Sequence, residues 1–425
     1  MKIKHLLTLY LFIVMTNIQA STLEYIKNNK MLDNQNYELP DSIRNSLSNS
    51  IKTKRFIFLG ESDHYFEEKF KYRLKFIRSL IKMGYFNILD EMGFEDGIMV
   101  NKYLNSGNED FLNKVGLYGF KYGTKLTSSK RTFVVSSKRY IRELYKLKQT
   151  YPKLNYGGYD LDVYPGTFYL YLDEVSQKLK SLTNYSKYFS NIELSKKSTK
   201  IADKVNLLNI SYKIALTEFS KITSLIGNKT AKIFLNRFRN FIASVDFKQR
   251  MIDAAPDYSY SNQDLFPWRE KQMFKNMLHI EDVAEIKEDN YILMGHNGHL
   301  TKSSEASFSI NGDDKFWYSI GEWVSETYPQ KVFAIWSLIG KGYHRGHGCP
   351  EGKTCSFKST KPSLESYLLE IDDKNNFFFN INPKNFSENN GIYYTYVNAK
   401  DIFQGPLAKQ ADAIYFLPVV SDLED

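Results

Sequence analysis

The strongest constraint on the fold is an early alternation of short apolar runs with amphipathic stretches. RFIFLG (Arg55 to Gly60) is rich in β-formers and stopped by glycine, so it reads as a buried strand. From His64 to Met83, Phe66, Phe70, Phe76, Ile77, Leu80 and Ile81 recur mostly at helical spacing. FNILDEM (Phe86 to Met92) is a second buried strand, and Phe94 to Leu104 a second helix. Strand–helix–strand–helix order predicts parallel strands joined by crossover helices. Lys138 to Thr150 then reads as helix, and NYGGYDLDVY (Asn155 to Tyr164) as a strand running into a loop.

From Thr167 to about Ala255, Leu, Ile and Phe fall at helical spacing with no convincing strand, which predicts a helical insert packed over the sheet. The sheet pattern returns with a helix around Pro267 to Ala284 and a strand over Tyr291 to His299. A helix near Ile320 to Tyr328 and a strand from Lys331 to Gly340 follow, and DAIYFLPVV (Asp412 to Val420) is expected to close the sheet. The expected fold is α/β, with a central, mostly parallel sheet flanked by helices. A large helical insert at about 167–255 is expected to cover the cleft, within a single domain over 21–425.

Lys2 and Lys4, the apolar run Leu6 to Met15 and the polar stretch Thr16 to Ala20 have the three-part layout of a secretory signal cut after Ala20. The run is shorter than the roughly 20 residues that span a bilayer, so no stable membrane anchor is expected. The chain is therefore expected to be exported, to a periplasm or beyond it. Cys349 and Cys355, the two cysteines of the chain, close the polar loop CPEGKTC. In an exported protein this pair reads as a disulfide; two free thiols or a metal site are the alternatives. The net charge of +9 comes from scattered Lys and Arg without a block of like charges. A solvated basic surface fits that pattern better than a polyanion site, and no nucleic-acid partner is expected.

Of the seven histidines, His5 leaves with the signal, and His64, His296 and His299 directly follow expected strand ends. In open α/β sheets the ligand crevice lies outside the carboxyl ends of the strands. In Gly60-Glu61-Ser62-Asp63-His64, Glu61 and His64 are three apart, so a first helical turn puts them on one face. A carboxylate there fixes the imidazole tautomer and suits His64 to act as a general base, while free backbone N–H groups at the helix start suit an oxyanion. The alternative is that Ser62 or Asp63 caps the helix and His64 faces solvent.

Glu91, in DEMGF, either points into the same crevice or faces solvent in a strand-to-helix loop. His296 and His299 flank Asn-Gly at a strand end, a spacing that serves proton transfer or metal ligation. On the helix Trp268 to Asn276, Arg269 and Asn276 share a face and either hold a carboxylate or substrate oxygen or cover a sheet edge. His344 and His347 (HRGH) beside the cysteine loop fit a surface loop better than a metal site. G-x-S-x-G, H-E-x-x-H, G-x-G-x-x-G and Walker A sequences are missing.

The ordered set GESDH, ILDEMGFEDG, GGYDLD, WREKQMFKN and MGHNGH resembles the erythromycin esterase-like family, from Lys54 to Gly340, with DAIYFLPVV also similar. The resemblance implies a central α/β sheet with helical additions and a deep cleft. It also implies hydrolysis by a histidine-activated water, typically opening a macrolactone ester without a covalent acyl-enzyme; no cofactor is expected. By motif, His64 is the general base, Glu61 and Glu91 are its carboxylate neighbours, and His296 and His299 are a second pair lining the cleft. Arg269 and Asn276 match the family's helix motif and shape or charge the site; Asp160 matches the aspartate after the third strand. An arginine on the first helix is expected for substrate; Arg73 is the candidate, with Tyr72 competing for that place. Relatives that hydrolyse macrolides are commonly cytoplasmic, in contrast to the export signal here.

Three functional readings follow. The first is an exported hydrolase acting on a small-molecule or glycan-like ester with no metal. The second uses the same His and Glu residues as ligands of a divalent metal that supplies hydroxide. The third is an exported binding protein or idle effector, for which the aromatic content of 15% supplies contact surface.

Overall fold

The computed structural model describes residues 22–34, 37–116, 128–162, 166–255, 262, 264–284, 290–303, 308–309, 318–344, 349, 353–386, 392–397 and 401–423. The signal expected at 1–20 and His347 lie outside the described residues. The order begins β1 (Met31–Asp33), α1 (Asp41–Ile51), β2 (Phe56–Glu61), α2 (Glu68–Lys82), β3 (Tyr85–Gly93), α3 (Phe94–Ser106), α4 (Ser128–Thr150) and β4 (Asn155–Asp160). Helices α5 (Gly166–Lys178), α6 (Tyr185–Lys197), α7 (Ile201–Thr217), α8 (Phe219–Ile226), α9 (Asn228–Ala254) and α10 (Phe266–Ala284) come next. Then come β5 (Asn290–His296), β6 (Phe308–Ser309), α11 (Ile320–Thr327), β7 (Val332–His344), β8 (Cys355–Lys358) and α12 (Leu364–Ile371). The last are β9 (Asn376–Asn380), β10 (Ile392–Val397), β11 (Asp401–Pro406), α13 (Leu407–Gln410) and β12 (Ala413–Val420). The fold is mixed α/β, and its long strands pair mostly in parallel.

Two compact units divide the chain, one drawn from 1–86, 127–143 and 290–425, the other from 87–126 and 144–289. In the first, β5, β2, β7 and β12 run parallel in that order. Every residue of β2 is buried, as expected of a strand covered on both faces. The register sets Glu61 beside His296 and Gly60 between Gly295 and Trp336, so the strand ends bring an acid and an imidazole together. Only glycine fits at position 60: a Cβ there would lie 2.2 Å from Asn297 Oδ1 and 3.2 Å from Trp336 Cδ1.

Two sequence expectations change in this unit. The terminal strand β12 joins the sheet as an interior strand; antiparallel β9 and then β1 lie beyond it. Helix α2 starts at Glu68 rather than His64, because Asp63 Oδ1 accepts the Tyr65 N–H at 2.7 Å and turns the chain there. A separate antiparallel sheet, β10–β11–β6, was not anticipated.

In the second unit β3 and β4 pair in parallel, with the register shifting between Asp90 and Gly93. The stretch read as a helical insert is helical, as α5 to α9. Its own core is built from Phe168, Leu172, Leu208, Phe234, Phe238 and Phe241, which fall on the buried stripes of these helices. Burying such side chains stabilises by about 1.5–3 kcal/mol each, which is why the insert holds a core of its own.

Candidate active site

In the first unit, Glu61 ends β2 with its side chain 1% exposed. Its Oε1 lies 2.6 Å from His64 Nδ1 and 3.2 Å from Lys69 Nζ, and its Oε2 lies 2.9 Å from a terminal nitrogen of Arg73. The Arg73 contact is an ion pair rather than an aligned hydrogen bond. Burial alone would push the Glu61 carboxyl up, but Arg73, Lys69 and His64 together hold it far below the usual glutamate range. A carboxylate fixed in its charged form accepts from Nδ1–H, which leaves Nε2 of His64 as the atom able to take a proton. Among the described residues Nε2 makes no hydrogen bond, and the His64 side chain is 37% exposed. Lys69 also donates to the His64 carbonyl at 2.8 Å, anchoring the same residue through its backbone.

His296 and His299 stand where the turn after β5 was expected. The His296 ring lies 5.4 Å from that of His64 and 6.3 Å from that of His299, centroid to centroid. Gly298 N–H donates to His296 Nδ1 at 3.2 Å, so the other ring nitrogen carries the proton and donates to Ser62 O at 3.2 Å. With both nitrogens engaged, His296 walls the site while His64 presents its open edge. His299 is buried beside it, its carbonyl accepting from Gly321 N–H at 2.8 Å. Asn297 N–H donates to Glu61 O at 2.7 Å and its amide to Ser337 O at 3.0 Å, pinning the turn across β2 and β7.

His344 departs from the surface-loop reading. It closes β7, is buried, and lies with Nδ1 3.2 Å from Asp63 Oδ2. Arg73, expected to meet substrate, is spent on Glu61; Tyr72 stacks on Tyr415 at 5.1 Å and does not compete for that place. Cys349 and Cys355 are bonded, with Cα atoms 5.7 Å apart.

The second unit gathers the remaining sequence candidates into a different kind of cluster. Arg269, near the start of α10, forks onto Asp160 at the end of β4, with Nε to Oδ1 at 3.0 Å and a second bond to Oδ2. It also reaches Glu91 at 3.4 Å. Burial would lower the Arg269 pKa, but Asp160, Glu91 and Glu270 raise it, so the guanidinium is a fixed charge. Asn276, two turns along, donates to Tyr159 O at 3.2 Å and Asn240 Oδ1 at 2.7 Å and accepts from Arg239 at 3.1 Å. It ties β4 to α9 and α10. Asp162 accepts Glu95 N–H at 2.9 Å and the Asn240 amide at 2.7 Å. Burial, then Glu95, Asp96 and Asp160, push its carboxyl well above the usual aspartate range.

Sequence reading missed Lys69, Asp63 and His344. Lys69 and Arg73 are four apart on α2, a spacing that sets two cations on one face and was visible in the sequence. Asp63 was weighed only as a cap. His344 follows a strand end as His64 and His296 do, but the strand was expected to stop at Gly340.

The erythromycin esterase family model matches residues 82–420. A search of curated proteins finds no match. Among solved structures, a protein from Bacillus cereus shares 15% identity at a TM-score of 0.71, covering 96% of this chain and 99% of that one. A succinoglycan biosynthesis protein is similar at 15% identity and a TM-score of 0.65, covering 96% and 98%. A mutant of the erythromycin esterase EreC in its open conformation matches at 15% identity and a TM-score of 0.63, covering 92% and 97%. At that identity the three structures speak for the fold alone, whereas the family match spans most of the chain. The chain belongs to the erythromycin esterase family.

Proposed function

We propose that the protein is a hydrolase that opens an ester or lactone with a water activated by His64, without a covalent acyl-enzyme. Family membership supports a hydrolase, and one geometric observation carries the finer reading. Ionised Glu61 holds His64 Nδ1 at 2.6 Å while the opposite edge of the ring stays half open. Nε2 takes a proton from water as the oxygen bonds to the carbonyl carbon. The tetrahedral intermediate then collapses, and the proton passes from Nε2 to the departing alkoxide, leaving an acid and an alcohol. Glu61 stays charged throughout and steadies the imidazolium; Lys69 and Arg73 keep it so. His296 and His299 wall the site, and Arg269, Asp160, Glu91 and Asn276 shape the second unit. The substrate class proposed is a small-molecule or glycan-like ester.

The test is a panel of esters, lactones and amides, run on wild type and His64→Ala with and without chelator. Turnover of an ester or lactone, lost about 10³-fold in the variant and indifferent to chelator, is expected. Full activity in His64→Ala sinks the base, stoichiometric metal with chelator-sensitive activity sinks the metal-free route, and tight binding without turnover favours an idle binder.

We also propose export. The basic, apolar and polar start and the Cys349–Cys355 bond support it. Cell fractionation with N-terminal sequencing is expected to find a mature chain beginning at Ser21.

A further inference from the structure

Beside the Glu61–His64 pair, the same loop carries a second acid that meets a second imidazole. Asp63 is 1% exposed and uses its two oxygens on different partners. Oδ1 accepts Tyr65 N–H at 2.7 Å, closing a turn whose central residue is His64. Oδ2 lies 3.2 Å from Nδ1 of His344, itself 5% exposed. Rotating the Asp63 side chain breaks the turn and leaves the His64 backbone held through its carbonyl by Lys69, so whatever holds Asp63 helps to aim His64.

His344 is well placed to do that holding. It ends the long extension of β7 and sits opposite Cys355 in the β7–β8 register, with its ring edge-on to Phe357 at 5.5 Å. The Cys349–Cys355 bond closes this hairpin. Two residues before His344, Gly342 has φ +139°, and a Cβ there would lie 1.9 Å from Val420 O; glycine lets the extension run close against the end of β12. The hairpin therefore delivers an imidazole to ion-pair distance of a buried carboxylate whose Oδ2 makes no aligned hydrogen bond.

We propose that Asp63 and His344 are a positioning pair that sets the orientation of His64, with the disulfide-closed hairpin as its support. The proposal rests on the reading of His64 as the base. In esterase assays, His344→Ala is expected to lower kcat about tenfold with KM within about twofold, because a base turned slightly off line loses rate rather than affinity. His344→Gln keeps an N–H for Asp63 and is expected to recover most of that loss. Asp63→Ala also opens the turn and costs at least as much, and adding His344→Ala to it costs nothing more. In ¹⁵N spectra of the imidazoles, His344→Ala is expected to shift the His64 ring signals, and His344→Gln to restore them. Wild-type kcat and unmoved His64 signals in a folded His344→Ala protein overturn the proposal. So do equal losses in the Ala and Gln variants that track a fall in Tm. If His64→Ala proves fully active, the base reading fails by itself, while the ¹⁵N signals still decide whether the pair holds the ring.

Discussion

Both units set a carboxylate at the end of a strand and bring an arginine to it from a helix, yet the two clusters are built for different ends. In the first unit Arg73 and Lys69 are spent on Glu61, and what remains on offer is an imidazole edge able to take up a proton. In the second unit Arg269 forks onto Asp160, and Asn276 uses both its amide atoms on β4 and α9. That network ends in fixed charges and closed bonds. The lesson is that a buried arginine–carboxylate pair is not itself a sign of catalysis; what it leaves unspent decides.

The contrast breaks most sharply at His64. His64→Ala is expected to reduce kcat/KM about 10³-fold with little change in urea midpoint, whereas no substitution in the Arg269 cluster should lower activity as far while leaving stability intact. Glu61→Gln comes next: activity is expected to fall about 10²-fold, and equilibrium unfolding to show about 3–5 kcal/mol lost as Arg73 and Lys69 are left buried without their anion. Arg269→Met is expected to cost about 3 kcal/mol in the same measurement, by stranding Asp160.

The smallest effect is a slope with pH, opposite in sign for the two units. Glu61 is depressed in the folded state, so its contribution is full above about pH 4.3 and is lost as pH falls toward the folded value. Asp162 is raised, so its contribution is full below about pH 3.9 and is lost as pH rises through the folded value. Above about pH 3.9, Asp162→Asn should therefore gain on wild type in urea midpoint as pH rises, by at most about 1.4 kcal/mol per pH unit. A flat difference over that range would remove the distinction between the two buried acids. Activity should decline on acidification, since a protonated imidazole cannot accept from water while Glu61 remains ionised.

Much of this was legible in the chain. Buried parallel strands read as unbroken apolar runs, so β2, β3, β5, β7 and β12 were found, and His64 and His296 were set together by strand ends alone. β1 and β9 were not, because Met31–Asp33 is too short to show a period and β9 offers only three apolar residues, Phe377 to Phe379, between asparagines. The Glu61–His64 contact was right for the wrong local reason: a side-chain turn at Asp63, not a helix, curls the loop. Side-chain pairing across distant strands, as between Asp63 and His344, has no period at all and stays hidden until the strands are in register.

The interior position of β12 sets a condition on synthesis. Its neighbours β7 and β9 both precede it, so a nascent chain carries two unsatisfied, apolar strand edges until residues 413–420 have left the ribosome. Products cut short of that point should pair with one another rather than fold, and any screen built on C-terminal deletions will report inclusion bodies long before it reports lost chemistry.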